Sequence, residues 1–374
     1  MITKKILNKE SSTEIQISSF IKAGRPSEYM FMIKPLNTKS TFRNQFENII
    51  SSFNIIQKKE ALEAKTVFVR IFLSDAVNQA DLVYSHFKSS EFAVSVVEQP
   101  PLNGSKISLW AYLQTDVEIN KIENHVYQVK HEDTTDFWSV LNTYNGKDSE
   151  KEMYHIFQNY IKQLDKEDCT LADNCIRTWL YVQNVDVNYA GVVKARNDIF
   201  DEENLTPFTH TIASTGIQGR DKDYNHRVLM DSYSVKGIKR EQIKYLYAKE
   251  YLSPADIYGV RFERGTCVSY SDRKHIFISG TASIDKNGEV LHIGDIRKQT
   301  LRMWENVEAL LNEAEASFDD VAQILVYLRD ISDYRVVKDM FDKKFSGTPY
   351  LILYAPVCRP TWLIEMECMA IAPI

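Results

Sequence analysis

Two carboxylates lie two residues apart in an otherwise apolar run near the end of the chain, Leu363-Ile-Glu365-Met-Glu367-Cys-Met-Ala370. By the period of two of a strand, Leu363, Glu365, Glu367 and Met369 share one face, and Ile364, Met366, Cys368 and Ala370 the other. The second face is wholly apolar and is expected against helices. A carboxylate seldom occupies a buried strand without a partner or a task. A proton donor is therefore expected here, from one of two acids, Glu365 and Glu367, each of which would hold its proton more tightly for having the other beside it. The preceding segment, Tyr350-Leu-Ile-Leu-Tyr-Ala-Pro-Val-Cys358-Arg359-Pro360, reads as a strand and a Pro-punctuated turn, which with the acid-bearing run makes a strand pair. It brings a thiol and a cation up to the acid, so all three are expected in one pocket.

Other residues are candidate contacts to an anionic or hydroxylated ligand. Arg177 shares a strand face with Trp179 and Tyr181; such an Arg holds an anion or a cross-strand carboxylate. Tyr189 and Tyr350 offer hydroxyls, with core packing as the alternative. The turn Ala213-Ser214-Thr215-Gly216-Ile217 offers backbone N–H groups to a carboxylate, or is a plain turn. Ser279-Gly280-Thr281-Ala282 lets a backbone approach a ligand closely, or is a bulge. Arg359, aimed by Pro360, is a ligand clamp or a structural ion pair. Cys169, Cys175, Cys267 and Cys368 read as ordinary core or surface thiols, and His210 as structural. No metal or organic cofactor is expected: the chain has no HExxH spacing, GxGxxG, P-loop or GxSxG.

The elements that must position these residues repeat three times. Thr66-Val-Phe-Val-Arg-Ile-Phe-Leu, Cys175-Ile-Arg-Thr-Trp-Leu-Tyr-Val and Ala322-Gln-Ile-Leu-Val-Tyr-Leu each read as a strand that ends in a polar turn before an amphipathic helix. Each is preceded by a longer helix, near 41–56, 149–164 and 295–314, and followed by two more strand-like runs. Asp295 is a fair N-cap for the third helix. Each repeat reads as ββαβαββ, an α+β unit with helices on one sheet face. Three such units in one chain can cover one another's open faces, which implies a pseudo-trimeric arrangement. The expected boundaries are 1–120, 121–238 and 256–374, with a helical insert at 239–255.

The bulk numbers agree with a multi-domain globular protein. At 374 residues, two or three domains are expected. No apolar run reaches the roughly 18 residues of a membrane span, and the N-terminal residues do not read as a signal peptide. Five cysteines without CxxC spacing suit a reducing cytoplasm. A net charge of −6 argues against a nucleic-acid partner and makes a local Arg cluster necessary for any anionic substrate.

Repeat three resembles the RidA/YjgF superfamily at Ile276-Phe-Ile-Ser-Gly280-Thr, the helix start Asp295-Ile-Arg-Lys-Gln-Thr, Asp319-Asp-Val, Val326-Tyr-Leu-Arg-Asp and Ile364-Glu-Met-Glu. That superfamily forms trimers with sites in the clefts between subunits. Its deaminases bind the substrate carboxylate with an Arg whose place here is taken by Tyr350, which argues against imine deamination. The whole chain is more similar to the chorismatases, in which RidA-like units are fused. The carrying residues are Gln99-Pro-Pro-Leu-Asn-Gly-Ser-Lys, Ile212-Ala-Ser-Thr-Gly-Ile, Tyr251-Leu-Ser-Pro-Ala-Asp-Ile-Tyr-Gly-Val, Ile278-Ser-Gly-Thr-Ala-Ser-Ile-Asp and Ala355-Pro-Val-Cys-Arg-Pro.

This resemblance implies cleavage of chorismate with release of pyruvate, on a chain that closes its own threefold as a monomer. The family's catalytic Glu matches Glu365. Cys358 resembles the Cys of the branch that forms 3-hydroxybenzoate, whereas the hydrolytic branch, which gives a dihydroxy-cyclohexadiene carboxylate, resembles this chain less there. Mixed 3- and 4-hydroxybenzoate, an imine deaminase and a non-enzymatic ligand-binding protein are the alternatives. Chorismate is a dianion with an enol ether. Protonating the ether's methylene carbon needs a carboxylic acid still protonated near neutral pH, which burial beside Glu367 would provide.

Overall fold

The computed structural model describes residues 1–374, apart from the side chains of Asp256 and Tyr258, so these two members of the 251–260 motif lie outside the described side chains. The first unit runs β1 (Ile2–Asn8), β2 (Thr13–Phe20), β3 (Glu28–Pro35), α1 (Phe42–Glu60), β4 (Lys65–Leu73), α2 (Ala76–Phe87), β5 (Ala93–Glu98) and β6 (Ile107–Gln114). The second runs β7 (Glu118–Glu123), β8 (Val126–Lys130), β9 (Thr135–Asn142), α3 (Ser149–Lys166), α4 (Leu171–Asn174), β10 (Cys175–Val182), α5 (Val185–Glu202), β11 (Ala213–Gln218) and β12 (Val228–Lys236). The third runs β13 (Ile243–Leu246), β14 (Gly265–Ser269), β15 (Arg273–Ala282), α6 (Ile296–Glu313), β16 (Val321–Leu328), α7 (Tyr334–Lys344), β17 (Tyr350–Tyr354) and β18 (Ile364–Pro373).

The three units have one topology. Their sheets are ordered β1-β2-β3-β6-β4-β5, β7-β8-β9-β12-β10-β11 and β13-β14-β15-β18-β16-β17. Each mixes antiparallel pairs with one parallel pair at the end reached by the short crossover helix, as in β10–β11 and β16–β17. The chain is thus α+β, with RidA-like units repeated three times. Its long helices start where the sequence places a cap: Thr41, Asp148 and Asp295 each accept the backbone N–H three residues on.

Each helix buries an apolar stripe against its own sheet, as α3 does with Met153, Ile156, Phe157, Tyr160 and Leu164. The opposite sheet faces meet one another. Phe68 of β4 stacks on Trp138 of β9 at 4.6 Å between centroids, and Tyr233 of β12 packs on Phe277 of β15 at 5.4 Å. Bridges Glu98–Arg220 and Ile217–Val357 join unit one to two and two to three. Gln16, which accepts the Tyr350 N–H at 3.1 Å, helps to join three to one.

Three expectations need correction. Residues 239–255 are not a helical insert. Ile243 and Leu246 are buried, Lys244 is exposed, and the segment pairs with β14 as the edge strand β13. The remainder forms only single 3₁₀ turns at Arg240–Gln242 and Ala255–Tyr258. Each sheet also has six strands, one more than the ββαβαββ reading. The extra strands β1, β7 and β13 are edge strands, and β1 and β7 are largely solvated, so they lack the apolar signal of an inner strand. Finally, β17 and β18 are not neighbours: β16 lies between them. Among the described residues, no helix is long and apolar enough to cross a membrane.

Candidate functional site

A cavity of about 340 Å³ lies between the second and third units. One wall is α5 with β11; the other is the end of β15, the start of β18 and the turn before it. Glu365 reaches it because the β18 face that carries the two acids points away from α6 and towards the second unit. In β18 it pairs with Ala282 on one side and Tyr327 on the other.

Two glycines make room for the functional side chains. At Gly280, a Cβ would overlap the Oε1 of Glu365, so only glycine lets the carboxyl rest on the backbone there. At Gly216, a Cβ would stand 2.7 Å from the Tyr189 ring.

The two carboxylates live in different surroundings although both are buried. Glu367 accepts from Arg177 Nη2 at 2.7 Å, from Trp179 Nε1 at 2.9 Å and from the hydroxyl of Thr215. Among the described residues, Glu365 has no such ion pair. Burial, then the charge of Glu367, push its carboxyl from the ordinary 4.5 up to about 8, against the opposing pull of Arg177 and Arg264. The site therefore holds a neutral carboxylic acid at neutral pH. Cys358 stands near it at the wall. Burial, followed by the Glu365 charge, pushes its thiol up to about 12, so it remains a thiol and not a thiolate nucleophile. Burial and then Cys358 push the Tyr189 phenol well above its usual range, which keeps it a hydroxyl.

Of the residues singled out in the sequence, Tyr189, Ser214, Gly216, Gly280, Ala282, Cys358, Arg359 and Glu365 line this one cavity. Four do not. Arg177 takes its alternative reading, the ion pair, and is held behind the wall by Glu367, Thr215 and the Ser279 hydroxyl at 3.2 Å. Thr215 has its hydrogen bonds filled: it donates to Glu367 and accepts from Arg177 and from the Gly280 N–H at 2.9 Å. Thr281 bonds the Ser279 carbonyl at 2.9 Å. Tyr350 bonds Asp342 of its own unit and faces the first unit, where it lies 5.3 Å beneath the Lys34 ammonium. The reason is common to the first two: a buried Arg on one unit and a buried acid on the next neutralise each other sooner than either faces solvent. Both still position the site, because Thr215 ties β11 to the glycine on which Glu365 rests.

Two arginines were missed. Arg196 of α5 is 1% exposed and lines the cavity, and its Nε and Nη2 have no partner among the described residues. A buried guanidinium with open donors is a binding group for an anion. Its signal was present: Arg196 interrupts the core stripe of Val192, Ala195, Ile199 and Phe200. Arg264, aimed by two bonds to the Ser253 carbonyl at 3.0 and 3.2 Å, had no local signal. Phe262 and Trp362 add apolar wall, and Arg359 lies 4.7 Å over the Trp362 ring.

Residues 266–372 match the family model of Endoribonuclease L-PSP. A RutC family protein of Pyrococcus abyssi is 38% identical over 98 residues, 25% of this chain and 76% of that relative. The 3-aminoacrylate deaminase RutC of Acinetobacter baylyi is 31% identical over 97 residues, 25% of this chain and 77% of its own length. Among solved structures, a chorismatase superposes with a TM-score of 0.65 at 17% identity, over 82% of this chain and 92% of that one. That likeness extends over all three units and is one of fold.

Proposed function

We propose, for a chain that belongs through its C-terminal unit to the RutC family, that the cavity cleaves chorismate to 3-hydroxybenzoate and pyruvate. The observation that carries this reading is the Glu365 carboxyl, kept protonated to about pH 8 at the wall of a cavity that also holds the Arg196 guanidinium, whose Nε and Nη2 have no partner among the described residues. A neutral acid beside an open cation suits a substrate that is an anion and must be protonated at carbon. The fold shared with a chorismatase over most of both chains supports the same substrate.

Each side chain then has a task. Arg196, with Arg264 and Arg359 lining the same cavity, receives the two carboxylates of the substrate. Trp362 and Phe262 flank the ring. Glu365 gives its proton to the methylene carbon of the enol ether, and the resulting oxocarbenium-like centre makes the side chain a good leaving group. The conjugate carboxylate left on Glu365 then lies close to that cation and stabilises it. The ring C–O bond then breaks and pyruvate departs with the ether oxygen, the neighbouring ring hydroxyl shifts to the vacated carbon, and one ring proton returns to the Glu365 carboxylate as the ring becomes aromatic. Pyruvate and 3-hydroxybenzoate together have the atoms of chorismate, so no net water is consumed. The apolar wall and the neutral Cys358 thiol serve to keep water from the reacting carbon.

The test is incubation of the purified chain and of Glu365→Gln with chorismate, with pyruvate and the organic products quantified. Equal amounts of pyruvate and 3-hydroxybenzoate, lost in the variant, are expected. Pyruvate with the dihydroxy-cyclohexadiene carboxylate would keep the substrate and overturn the role of Cys358. No pyruvate from folded protein would overturn the function.

A further inference from the structure

The threefold repeat gives the molecule a second cleft, between units one and two, built position for position like the first. Leu229 faces Tyr181 across β12 and β10 as Glu365 faces Tyr327 across β18 and β16. The His125 carbonyl accepts from Val140 at 2.9 Å as the Arg264 carbonyl accepts from Ser279 at 3.0 Å. Behind the wall, Asp231 takes Arg70 at 2.9 Å and Ser95 at 2.5 Å, as Glu367 takes Trp179 and Thr215. The cleft encloses about 380 Å³, close to the size of the first.

Its chemistry differs where it matters. Leucine stands in the place of the acid, so the proton donor is gone. The floor is apolar, with Phe87, Val94 and Leu141. Tyr84 and Tyr127 flank it, with the Lys222 and Lys121 ammonium groups 5.6 and 5.7 Å from their rings. Lys88 completes a cationic rim, and the half-buried His125, whose imidazole burial and then Lys121 push below its usual range, adds a neutral ring. Against these stand Asp221, which His226 holds at 2.8 Å, and Asp81, which pairs with Lys222. Leu141 and His125 both keep left-handed backbones, at φ 55° and 64°, where side chains other than glycine are strained. Asp231 holds the Leu141 N–H there at 2.9 Å.

We infer that this second cleft is a non-catalytic site for a small aromatic carboxylate. The ring lies on the apolar floor between the two tyrosines, and the carboxylate meets the ammonium groups of Lys88 and Lys121. In a chain of net charge −6, a concave patch with three lysines is a local reversal of field, and that selects an anion. The two strained residues fix the floor before a ligand arrives. The inference uses only the residues of the second cleft and stands apart from the reaction proposed for the first.

Benzoate is the probe, measured by equilibrium dialysis on the full chain, on Arg196→Ala and on Lys88→Glu/Lys121→Glu. Both lysines are exposed, so the double variant keeps its fold, as circular dichroism will verify. The expected result is benzoate binding that persists in Arg196→Ala and weakens at least about tenfold in the double variant, whose pyruvate release stays at the parent rate. Binding that is absent, that vanishes in Arg196→Ala, or that ignores the charge reversal overturns the inference. A failure of the chorismate reading would appear separately, as missing pyruvate release, and leave the dialysis result intact.

Discussion

Replacing Glu365 by glutamine should abolish activity and yet stabilise the protein at alkaline pH. The carboxyl titrates near 4.5 when unfolded and at about 8 when folded. Between those values the folded chain holds a proton that the unfolded chain has released. Stability therefore falls as pH rises across that window, fully present below the lower value and lost above the upper one. The span is roughly 3.5 pH units, and at about 1.4 kcal/mol per unit the loss approaches about 5 kcal/mol by pH 9. Glutamine has the shape of the protonated acid and no proton to lose, so the variant escapes this loss. Urea denaturation of both proteins at pH 5 and pH 9 measures it. The two should be about equally stable at pH 5, and the variant about 3–5 kcal/mol more stable than its parent at pH 9. A stability difference that stays within about 1 kcal/mol across that range would refute the reasoning, because it would mean that Glu365 is ionised in the folded chain at neutral pH.

The descending limb of kcat/KM should lie near pH 8, and Glu367→Gln should move it down by about one to two units. Acids at i and i+2 on a strand are roughly 7 Å apart and interact by about 2 kcal/mol at an effective dielectric constant near 20; an unmoved limb would assign the shift to burial alone. Arg196→Ala should raise KM about a hundredfold, the loss of two charge-assisted bonds, while thermal stability is kept or gained because a buried cation with two donors unfilled among the described residues is removed. Gly280→Ala should push the Glu365 carboxyl off its seat and lower kcat about a hundredfold in a folded protein, since the added methyl occupies the place of Oε1. Cys358→Ala should keep the rate of pyruvate release within about tenfold, because its thiol is protonated far above neutral pH, and chromatography should show any change in the product mixture.

Arg177 and Arg196 show where reading a sequence stops. Arg177 drew attention because it shares a strand face with Trp179 and Tyr181, and the face was read correctly. What local pattern does not contain is the partner: the acid that neutralises it lies 190 residues away, on another unit. Arg196 was passed over because an arginine in a helix is usually solvated, although it stands in the core stripe of α5. Tyr350 shows the same limit, since it lies on the expected strand but turns towards the first unit and away from the site.

By itself the sequence determined the repeated α+β unit, because periods of two and of 3.6, caps and turn residues act within a few residues of one another. It also determined that an acid, a thiol and a cation arrive close together, since Cys358, Arg359 and Glu365 lie on one turn and the strand after it. Only the tertiary structure decided which of the two acids keeps its proton. Glu365 and Glu367 are equivalent in the strand pattern. The neighbouring unit supplies Arg177, Thr215 and Trp179 to one of them and leaves the other at the wall of the cavity, without a salt bridge among the described residues. The affinity of a carboxyl group for its proton depends on what surrounds it in space, and those surroundings came from residues more than 150 positions away.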